Sequence, residues 1–537
     1  MKRHHHNAAA PRAPRAPRAP RAPRAPRWPL AAMFLLALGR YDAALAGAPV
    51  GLLDAVRLSL ANNVDVLVQR QQVDSSAGAL QQAGAPFDST LRLQTGRSVE
   101  HAPLNQRSRD AYAGQGFPLS QLRSDSTNYS VALERLLPNG VVLSPSASVT
   151  RAAGSVNDIN QLAPQNNASV DFSLRIQLQK NSGRLAGAGA NAAERELAAA
   201  EQDLRFALAQ TVLRTVQSYW GLLAAGKSLQ IARESEASVA RLVEETAKLI
   251  AADELPAADL HILRANLFDR GAARLAAEQT LLDARQRLGV AMGLAPRDVA
   301  TLSAADDFPA GAVDPAALPG RLAALQQQAL RRRADLKAAQ LRRDAAATLS
   351  GAAREELKPQ LDLTLRLGYA GLAEGSGAAR ALSQNRGAPN VGVSLSYQWP
   401  LANNGAEGRY RQQLAGYQQH LAQLDGVERA VALGVEAGVA GLVHGAAQLR
   451  QSEQAAELYR LAGENERTRY RLGSSTMINV LTTSDSLLNA RLGNVAQRLN
   501  YLNALVQLNF QTGALIVDGE AGQSVGLGQL LDLPPPD

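Results

Sequence analysis

The chain has 537 residues, no cysteine, and 56 Lys and Arg against 48 Asp and Glu, a formal net charge of +8. The absence of cysteine excludes disulfide bonds, thiol catalysis, cysteine-ligated metals and a lipidated N-terminal cysteine. No segment after residue 46 has about 18 consecutive apolar residues, so no transmembrane helix is expected.

The first 46 residues predict a secretory signal peptide with a long Pro/Arg-rich basic region. Six Pro-Arg steps lead up to Arg27, an apolar run covers Leu30 to Leu38, and Ala44 to Ala46 form a small-x-small cleavage site. A nucleic-acid-binding arm is the alternative interpretation. The remaining chain has 47 basic and 47 acidic residues, because the leader holds nine of the former and one of the latter. The net charge therefore does not indicate a nucleic-acid partner.

Two proline-free tracts, Gln165–Leu255 and Leu401–Leu533, predict very long helices, since a helix interior excludes proline. From about Ala190 to Ile250 a helix would be about 90 Å long. Apolar residues recur in both tracts at spacings of three, four and seven, the pattern of coiled-coil seams. Ala, Gly, Gln, Ser and Arg fill the other faces, which favours the wall of a water-filled space. The solvated surface of an ordinary coiled coil is the alternative.

Four segments alternate between apolar and polar residues with a period of two, and predict strands. They begin at Phe87, Val170, Leu361 and Val391. Lipid outside and water inside would produce this pattern, and so would a half-buried sheet in a soluble protein. On the first interpretation, the polar positions face a lumen; the charged residues among them include Asp171, Arg175, Asp362 and Arg366. Tyr369, Tyr397 and Trp399, near strand ends, would suit an aromatic girdle.

Four strands are too few to close a membrane barrel, which needs about eight. We therefore expect oligomerisation, with three copies supplying twelve strands. An extra hairpin-like pair, Tyr129 to Leu136 and Val141 to Thr150, surrounds the turn signal Asn139-Gly140. This hairpin either extends the extracellular side or adds strands to the barrel, and we expect the former.

The second half of the chain repeats the first. Leu60, Asp65 and Asp74 recur 270 residues later, and the residues around Asp259 recur 220 residues later. A repeat of this length indicates a duplicated, domain-sized unit. Each unit has one long helix opposed by two shorter ones. The shorter helices are expected as the pairs Leu52 to about Ala83 with Thr476 to Thr512, and Ala258 to Met292 with Leu322 to about Leu357.

Enzyme function has little support in the sequence. The histidines after the leader, His101, His261, His420 and His444, are scattered, and no metal-binding spacing or phosphate-binding loop is present. We expect no catalytic residues, no cofactor and no metal. A non-enzymatic function that the long helices also allow is that of an exported periplasmic coiled-coil structural protein.

The chain resembles the TolC-like outer membrane efflux protein family, the channels of tripartite export systems. Three segments carry the resemblance: the opening helix Leu52–Asn63 with Asp65, the junction Leu395–Leu401, and the turn Arg469–Leu481. Each alone is weakly specific, whereas their order and spacing together are strongly specific.

The resemblance implies a mostly α protomer with four strands, built as a duplicated helix-strand-strand-helix unit. Three protomers would form a 12-stranded transmembrane β-barrel in outer membrane lipid and an α-helical barrel across the periplasm. The predicted divisions are a leader at 1–46, the first repeat at 47–293, an equatorial segment at 294–320, the second repeat at 321–513 and an equatorial tail at 514–537. The protein would be a passive conduit for cargo delivered by an inner-membrane pump of the RND or ABC type.

In this family the helix-helix turns form periplasmic tips where an adaptor, or membrane fusion protein, docks. The corresponding residues are Ala252, Asp253 and Glu254 in the first half, and Leu472, Gly473, Ser474, Ser475 and Thr476 in the second. Gly473 is expected to adopt a positive φ. Its counterpart Asp253 departs from the usual glycine.

The resemblance also implies a periplasmic gate closed by polar ties. Tyr470 and Asp259 match one such tie. Asn479 and Thr482 stand where some members have carboxylates, and Ser475 stands where an arginine occurs. We therefore expect only weak cation selectivity at the entrance, because rings of charges set selectivity in a pore.

Overall fold

A computed structural model describes residues 49–180, 185–251, 258–309, 315–375, 378–383, 389–519 and 522–534. The predicted leader at 1–46 and the first tip, Ala252 to Glu254, lie outside the described residues. The longer helices are α1 (Leu52–Asn62), α2 (Val64–Gly84), α5 (Ala188–Ala251), α6 (Ala258–Met292), α8 (Leu322–Arg332), α9 (Ala334–Glu355), α11 (Asn404–Arg471) and α12 (Met477–Gln511). The short helices are α3 (Gln106–Gly114), α4 (Ser155–Ile159), α7 (Pro296–Val299), α10 (Ala378–Ser383) and α13 (Leu527–Leu531).

Two very long helices run through the molecule, as predicted. Helix α5 has 64 residues and α11 has 68, which corresponds to about 95–100 Å each at 1.5 Å per residue. The predicted seam of α5 is buried from Leu208 through Val212 and Val216 to Trp220. Helix α5 packs against α2, α6, α9 and α12, and α11 packs against α8, α9 and α12. Long amphipathic stripes thus become the packing faces of a helical bundle.

The duplication is visible in how the short helices meet. The Asn63 side chain at the α1–α2 break donates a 3.0 Å hydrogen bond to the Ala291 carbonyl near the end of α6. In the second repeat, Arg333 at the α8–α9 break donates to the Gln511 side chain at the end of α12. The prediction that residues 52–83 pair with 476–512 and 258–292 with 322–357 was therefore wrong. The short helices meet end to end within each repeat.

Glycines at these two junctions allow the close approach. Gly293 has a φ of +67° and lies against the Asn62 backbone, and Gly513 has a φ of +72° and lies against Arg332. A side chain at Gly293 would come within 2.5 Å of the Asn62 carbonyl oxygen. Each glycine therefore ends one helix and makes room for the next.

The strands form one antiparallel sheet in the order β1-β2-β3-β4-β5-β6. They are β1 (Thr90–Pro103), β2 (Gln121–Leu136), β3 (Val142–Gly154), β4 (Gln165–Gln177), β5 (Gln360–Glu374) and β6 (Asn390–Gln398). A separate two-stranded ribbon, β7 (Val517–Gly519) and β8 (Gly522–Ser524), lies near the C-terminus. The mostly helical fold with a small sheet is confirmed. The expected four strands per chain are corrected to six, because the extra hairpin pairs along its length with both neighbours.

A buried cluster lies midway along α5. Tyr219 and Trp220 are almost fully buried, and the Trp220 ring stacks on Phe308 at 6.2 Å. The Tyr219 hydroxyl donates 2.7 Å to Asp306 Oδ2, which also accepts from the Leu52 amide at 2.8 Å. Part of the predicted equatorial segment thus packs against the centre of the long helix.

One helix of the described chain, α11, contains an 18-residue window apolar enough to cross a membrane, with a mean hydropathy of 1.5 and 33% of the window buried. The window belongs to a 68-residue helix that packs along α8, α9 and α12. We therefore assign this stretch to the wall of the helical bundle.

Candidate functional site

The sheet has one polar and one apolar face over its whole width. Directly opposed residues of antiparallel strands lie on the same face. One row of the apolar face runs across five strands; its members are Leu93, Val131, Ala147, Val170 and Tyr369. Large apolar side chains on this face are exposed, including Leu93, Val391 and Val393, which are 72%, 71% and 69% accessible. A soluble protein rarely exposes such a surface.

The structure brings Asp171, Arg175, Asp362 and Arg366 together on the polar face of β4 and β5. Asp171 opposes Gly368, Arg175 opposes Thr364, and Arg366 opposes Ser173. The absence of a side chain at Gly368 makes room for Asp171, whose Oδ1 would lie 2.6 Å from an added Cβ. Asp362 is buried and accepts a 2.7 Å hydrogen bond from Gln360.

Both edges of this sheet are open. All residues of β1 and of β6 are exposed, and neither strand has a second neighbour among the described strands. An open strand edge offers unpaired N–H and C=O groups to another strand. The apolar face therefore ends on two edges that can accept a further chain.

The second helix-helix turn joins α11 to α12. Gly473 has a φ of +71°, as predicted, and its amide donates 2.9 Å to the Tyr470 carbonyl. The Thr476 side chain caps α12 by accepting from the Asn479 amide. Ser475 donates to Glu466, and Leu472 is 76% exposed at the end of the turn. The turn is tightly hydrogen-bonded and presents an exposed apolar side chain, with Ser474 beside it.

Just inside this turn, four helices meet in an apolar cluster. Leu263 of α6 packs with Met477 and Leu481 of α12, and the partly buried Leu242, Val243 and Tyr470 lie against them. Burial raises the pKa of Tyr470, and the negative charge of Asp259 raises it further. The buried Tyr470 hydroxyl has no hydrogen bond of normal geometry in the described part of the chain. Tyr470 and Asp259 are thus electrostatic neighbours without a direct tie.

Asn479 and Thr482 lie on an exposed face of α12. The Asn479 side chain donates to Ser475 Oγ at 3.3 Å, and the Thr482 hydroxyl donates to the Ile478 carbonyl at 2.9 Å. Both side chains therefore bond within their own helix and loop. Neither adds a charge to this face.

The sequence analysis missed a charged pair one turn further along α12. Arg270 of α6 pairs with Asp485, and the Arg270 side chain is only 9% exposed whereas that of Asp485 is 48% exposed. Burial lowers the pKa of Arg270. The signal for it in the sequence is a single acidic residue in the apolar and hydroxyl-rich start of α12.

Two exposed contacts also link the hairpins. Arg491 of α12 pairs with Glu234 of α5 at 2.8 Å, and the hydrogen bond from Arg491 lowers the pKa of Glu234. Arg467 of α11 donates 2.8 Å to the Ser238 hydroxyl of α5. The hairpins α5–α6 and α11–α12 are therefore held together by one buried ion pair, one apolar cluster and exposed polar contacts.

A groove of about 650 Å³ separates the hairpins near the turn. Residues of α5 line one side and residues at the end of α11 the other; these include Arg241, Glu245, Leu249, Arg467 and Arg471. No group of three or more His, Asp or Glu side chains in the described ranges is placed to hold a metal ion.

The comparisons with known proteins agree with this architecture. Residues 325–514 match the sequence model of the family described as outer membrane efflux protein. The solved outer-membrane channel OprN is 18% identical, with a TM-score of 0.63, over 86% of this chain and 90% of that chain. VceC of Vibrio cholerae is 18% identical, with a TM-score of 0.61, over 86% of this chain and 96% of that chain. CmeC of Campylobacter jejuni is 15% identical, with a TM-score of 0.60, over 86% of this chain and 85% of that chain. No curated protein sequence matches.

These likenesses establish the fold over nearly all of the described chain, and the family match covers most of the second repeat. They favour a non-enzymatic channel over a periplasmic structural coiled coil. The exposed apolar face of the sheet suits lipid, and the long helices suit a periplasmic extension. Residues 325–514 therefore match the outer membrane efflux protein family, and the described chain has the fold of solved TolC-like outer-membrane channels.

Proposed function

We propose that three copies of this chain form the outer membrane channel of a tripartite export system and act as a passive conduit. The observation that carries this proposal is a sheet with a continuous apolar face and two open edges, attached to helices about 95–100 Å long. Unpaired strand edges are not tolerated in lipid, and one chain has too few strands to close a barrel. Association through β1 and β6 satisfies both requirements.

The polar face of the sheet then lines the lumen. Asp171, Arg175 and Arg366 would contact water and passing solutes, because the opposite face is covered by apolar side chains. Asp362 lies on the same face but is buried against Gln360. The helices continue the same water-filled space into the periplasm.

The turn between α11 and α12 then serves as an adaptor-docking tip. Support comes from the exposed Leu472, the ordered hydrogen bonds around Gly473 and the groove between the hairpins. Residues 252–254 would form the corresponding tip of the first hairpin. The adaptor would connect the channel to an inner-membrane pump of the RND or ABC class.

The periplasmic end then acts as the gate. Tyr470, Asp259, Asn479 and Thr482 belong to it, together with Asp485. The apolar cluster around Leu263 and the ion pair of Arg270 would hold the hairpins in a closed arrangement. Entry would require the α11–α12 hairpin to separate from α5 and α6.

The experiment is to express the full chain, fractionate the cells and measure the native mass in detergent. We expect the protein in the outer membrane fraction, with a mass of three chains and ion conductance in planar bilayers. A processed chain that stays monomeric and dissolved without detergent would contradict the proposal. Separate co-purification with an RND-type or an ABC-type partner system would identify the pump class.

A further inference from the structure

We infer that the β2–β3 hairpin is embedded in the membrane and that the trimer closes an eighteen-stranded barrel with an exit wider than a twelve-stranded one. The inference rests on the proposed trimeric channel and adds the size and lining of its exit. It reverses the expectation that the hairpin extends the extracellular side.

The position of the hairpin turn is the first argument. Glu134 near the end of β2 opposes Thr90 at the start of β1, just after α2. Val142 at the start of β3 opposes Arg175 near the end of β4, just before α5. The turn between them therefore lies at the end of the sheet where the helices attach. An extracellular extension would place it beyond the opposite end.

The turn itself is well formed. Gly140 has a φ of +82° and its amide donates 2.9 Å to the Leu137 carbonyl, while the Leu137 amide donates 2.8 Å to the Val141 carbonyl. The Asn139 side chain accepts from the Val141 amide at 3.2 Å. The Asn-Gly signal thus makes a tight connection between two neighbouring barrel strands.

The apolar face is the second argument. Tyr129, Val131 and Leu133 of β2 lie on the same face as Leu91 and Leu93 of β1, because they oppose Thr95, Leu93 and Leu91. These three side chains are 53%, 39% and 36% exposed. Across β3 the face continues through Ala147 and Val149, and Val149 is buried in a cluster with Ala381 of α10. A hairpin in extracellular water would have no reason to continue the lipid-facing rows of its neighbours.

Aromatic residues mark the two boundaries of this face. Tyr397 lies near its helical end, opposite Leu361, and Tyr369 lies eight residues further along β5. A rise of 3.4 Å per residue and a tilt of about 40° give a height of about 21 Å, close to the apolar band of outer membrane barrels. The row of Tyr369 contains Val131 of β2, and Tyr129 lies two residues from Val131 on the same face. The inserted strand thus contributes to the same boundary.

The middle of the hairpin's polar face consists of small, uncharged side chains, and Glu134 lies on the same face near the turn. The hydroxyls of Ser98 and Ser126 are 2.8 Å apart, those of Ser148 and Ser169 are 3.0 Å apart, and Thr150 donates 3.0 Å to the Asn128 side chain. These bonds join β1 to β2, β2 to β3 and β3 to β4 across the inner surface. The middle of the hairpin therefore presents a hydrated, uncharged inner surface, and Arg92 of β1 and Asp171 of β4 place charges beside it.

The strand number determines the width of the exit. With strands about 4.8 Å apart and tilted by about 40°, eighteen strands give a backbone diameter of about 36 Å, against about 24 Å for twelve. Four strands of each copy connect directly to helices, whereas β2 and β3 connect only to each other at that end. The barrel is thus enlarged without further helices. An exit of this width, lined by small polar groups and a few charged ones, admits bulky solutes and leaves selection to the periplasmic end.

Single cysteines provide the test, since the chain has no cysteine of its own. Val131→Cys and Ser130→Cys probe the two faces of β2, and Val393→Cys and Ser394→Cys are matched controls in β6. Each trimer is labelled with an environment-sensitive fluorophore and reconstituted into vesicles that contain brominated lipid. We expect severalfold stronger quenching at residues 131 and 393 than at residues 130 and 394.

Equal quenching at residues 130 and 131, with the difference retained in β6, would overturn the embedded hairpin and leave the channel intact. Loss of the difference in β6 as well would overturn the proposed channel itself. As a second measurement, cryo-electron microscopy of the unmodified trimer should show eighteen strands about 36 Å across. Deleting residues 121–154, which joins Ser120 to Ser155, should narrow the ring to about 24 Å. A twelve-stranded ring in the unmodified protein would contradict the inference.

Discussion

Single side chains secure the junctions of this molecule. Tyr219 is fully buried in the middle of α5, yet its hydroxyl has polar partners: it contacts the Val50 carbonyl at 3.1 Å and Asp306 at 2.7 Å. Burial raises the pKa of Tyr219, with the nearby Asp306 carboxylate as a further cause. The hydroxyl therefore remains protonated at every physiological pH and acts as a permanent donor.

Replacing Tyr219 with Phe tests this contact. The variant loses a hydrogen bond to a carboxylate in a buried site, so we expect the free energy of unfolding to fall by about 1–3 kcal/mol. Thermal unfolding of the purified protein in detergent measures the loss. The exposed Tyr459→Phe serves as the control and should change stability by less than about 0.5 kcal/mol. Equal effects of both substitutions would show that the Tyr219 hydroxyl contributes nothing specific.

The entrance also depends on individual side chains. Thr482 is exposed and uncharged, so the proposed pore lacks a carboxylate ring there and should discriminate weakly between ions. Thr482→Asp would add one negative charge per copy. We expect a severalfold rise in the cation-to-anion permeability ratio, measured as the reversal potential in a salt gradient. Thr482→Asn, of similar size and without charge, should behave like the natural protein; strong cation preference in that natural protein would contradict the prediction.

Contacts between helices determine how strongly the two hairpins are coupled. The two hairpins contact each other mainly through α5 and α12, and α6 reaches α12 through the Leu263 cluster and the Arg270 ion pair. Arg270 is buried and Asp485 is half-exposed. Arg491 and Glu234 are both more than 40% exposed, so solvent screens their attraction. The Arg270–Asp485 pair, with one buried partner, is therefore screened less by solvent than the Arg491–Glu234 pair.

Asp485→Asn should weaken this coupling. The substitution leaves the Arg270 guanidinium without its charge partner in a buried site, which costs about 1–3 kcal/mol. Glu234→Gln is the matched control and should cost less than about 1 kcal/mol, because Glu234 and its partner Arg491 are both exposed. Thermal unfolding provides the first readout. Higher single-channel conductance of Asp485→Asn than of Glu234→Gln provides the second, and unchanged conductance would exclude the pair from the gate.

The Glu234 contact also has a defined pH dependence. Its pKa is lowered in the folded protein, so its contribution is complete above the unfolded carboxyl value of about 4.3 and is lost as the pH falls through the folded value. We expect the stability difference between the natural protein and Glu234→Gln to disappear in acid. Unfolding curves at pH 7 and pH 3 measure it, and a difference that persists at pH 3 would contradict the assignment.

The proposed trimer is an assembly whose stability should depend on lipid. Within one chain the sheet ends at two open edges and its apolar face is exposed, so a single copy is unsuited to water or to a bilayer. Association through the edges and insertion into lipid satisfy the backbone and the apolar side chains together. We therefore expect assembly and insertion to be coupled.

Val393→Lys tests the orientation of the sheet in this assembly. A lysine at the centre of the lipid-facing band costs about 2–4 kcal/mol per copy. Ser394→Lys, the neighbouring residue on the polar face, should be tolerated. The fraction of heat-resistant trimer on denaturing gels measures assembly. A greater loss for residue 394 than for residue 393 would reverse the inside and outside of the sheet.

The sequence by itself determined those features that follow from local patterns. The period of 3.6 in α5 and α11, the period of two in the strands, and the turn at Gly473 each depend on neighbouring residues, and all agree with the structure. The polar placement of Asp171 and Arg366 followed for the same reason. The sequence also revealed the duplication, because matched residues recur at a nearly constant offset.

Only the tertiary structure decided features that join distant segments. The same alternation at Tyr129–Leu136 suited an extracellular hairpin or two further barrel strands, and the register with β1 and β4 places both strands of the hairpin within the sheet. The stacking of α6 against α1 and the pairing of Arg270 with Asp485 likewise join residues more than 200 positions apart. Periodicity specifies which face of an element is apolar, but the partner of that face depends on packing across the whole chain.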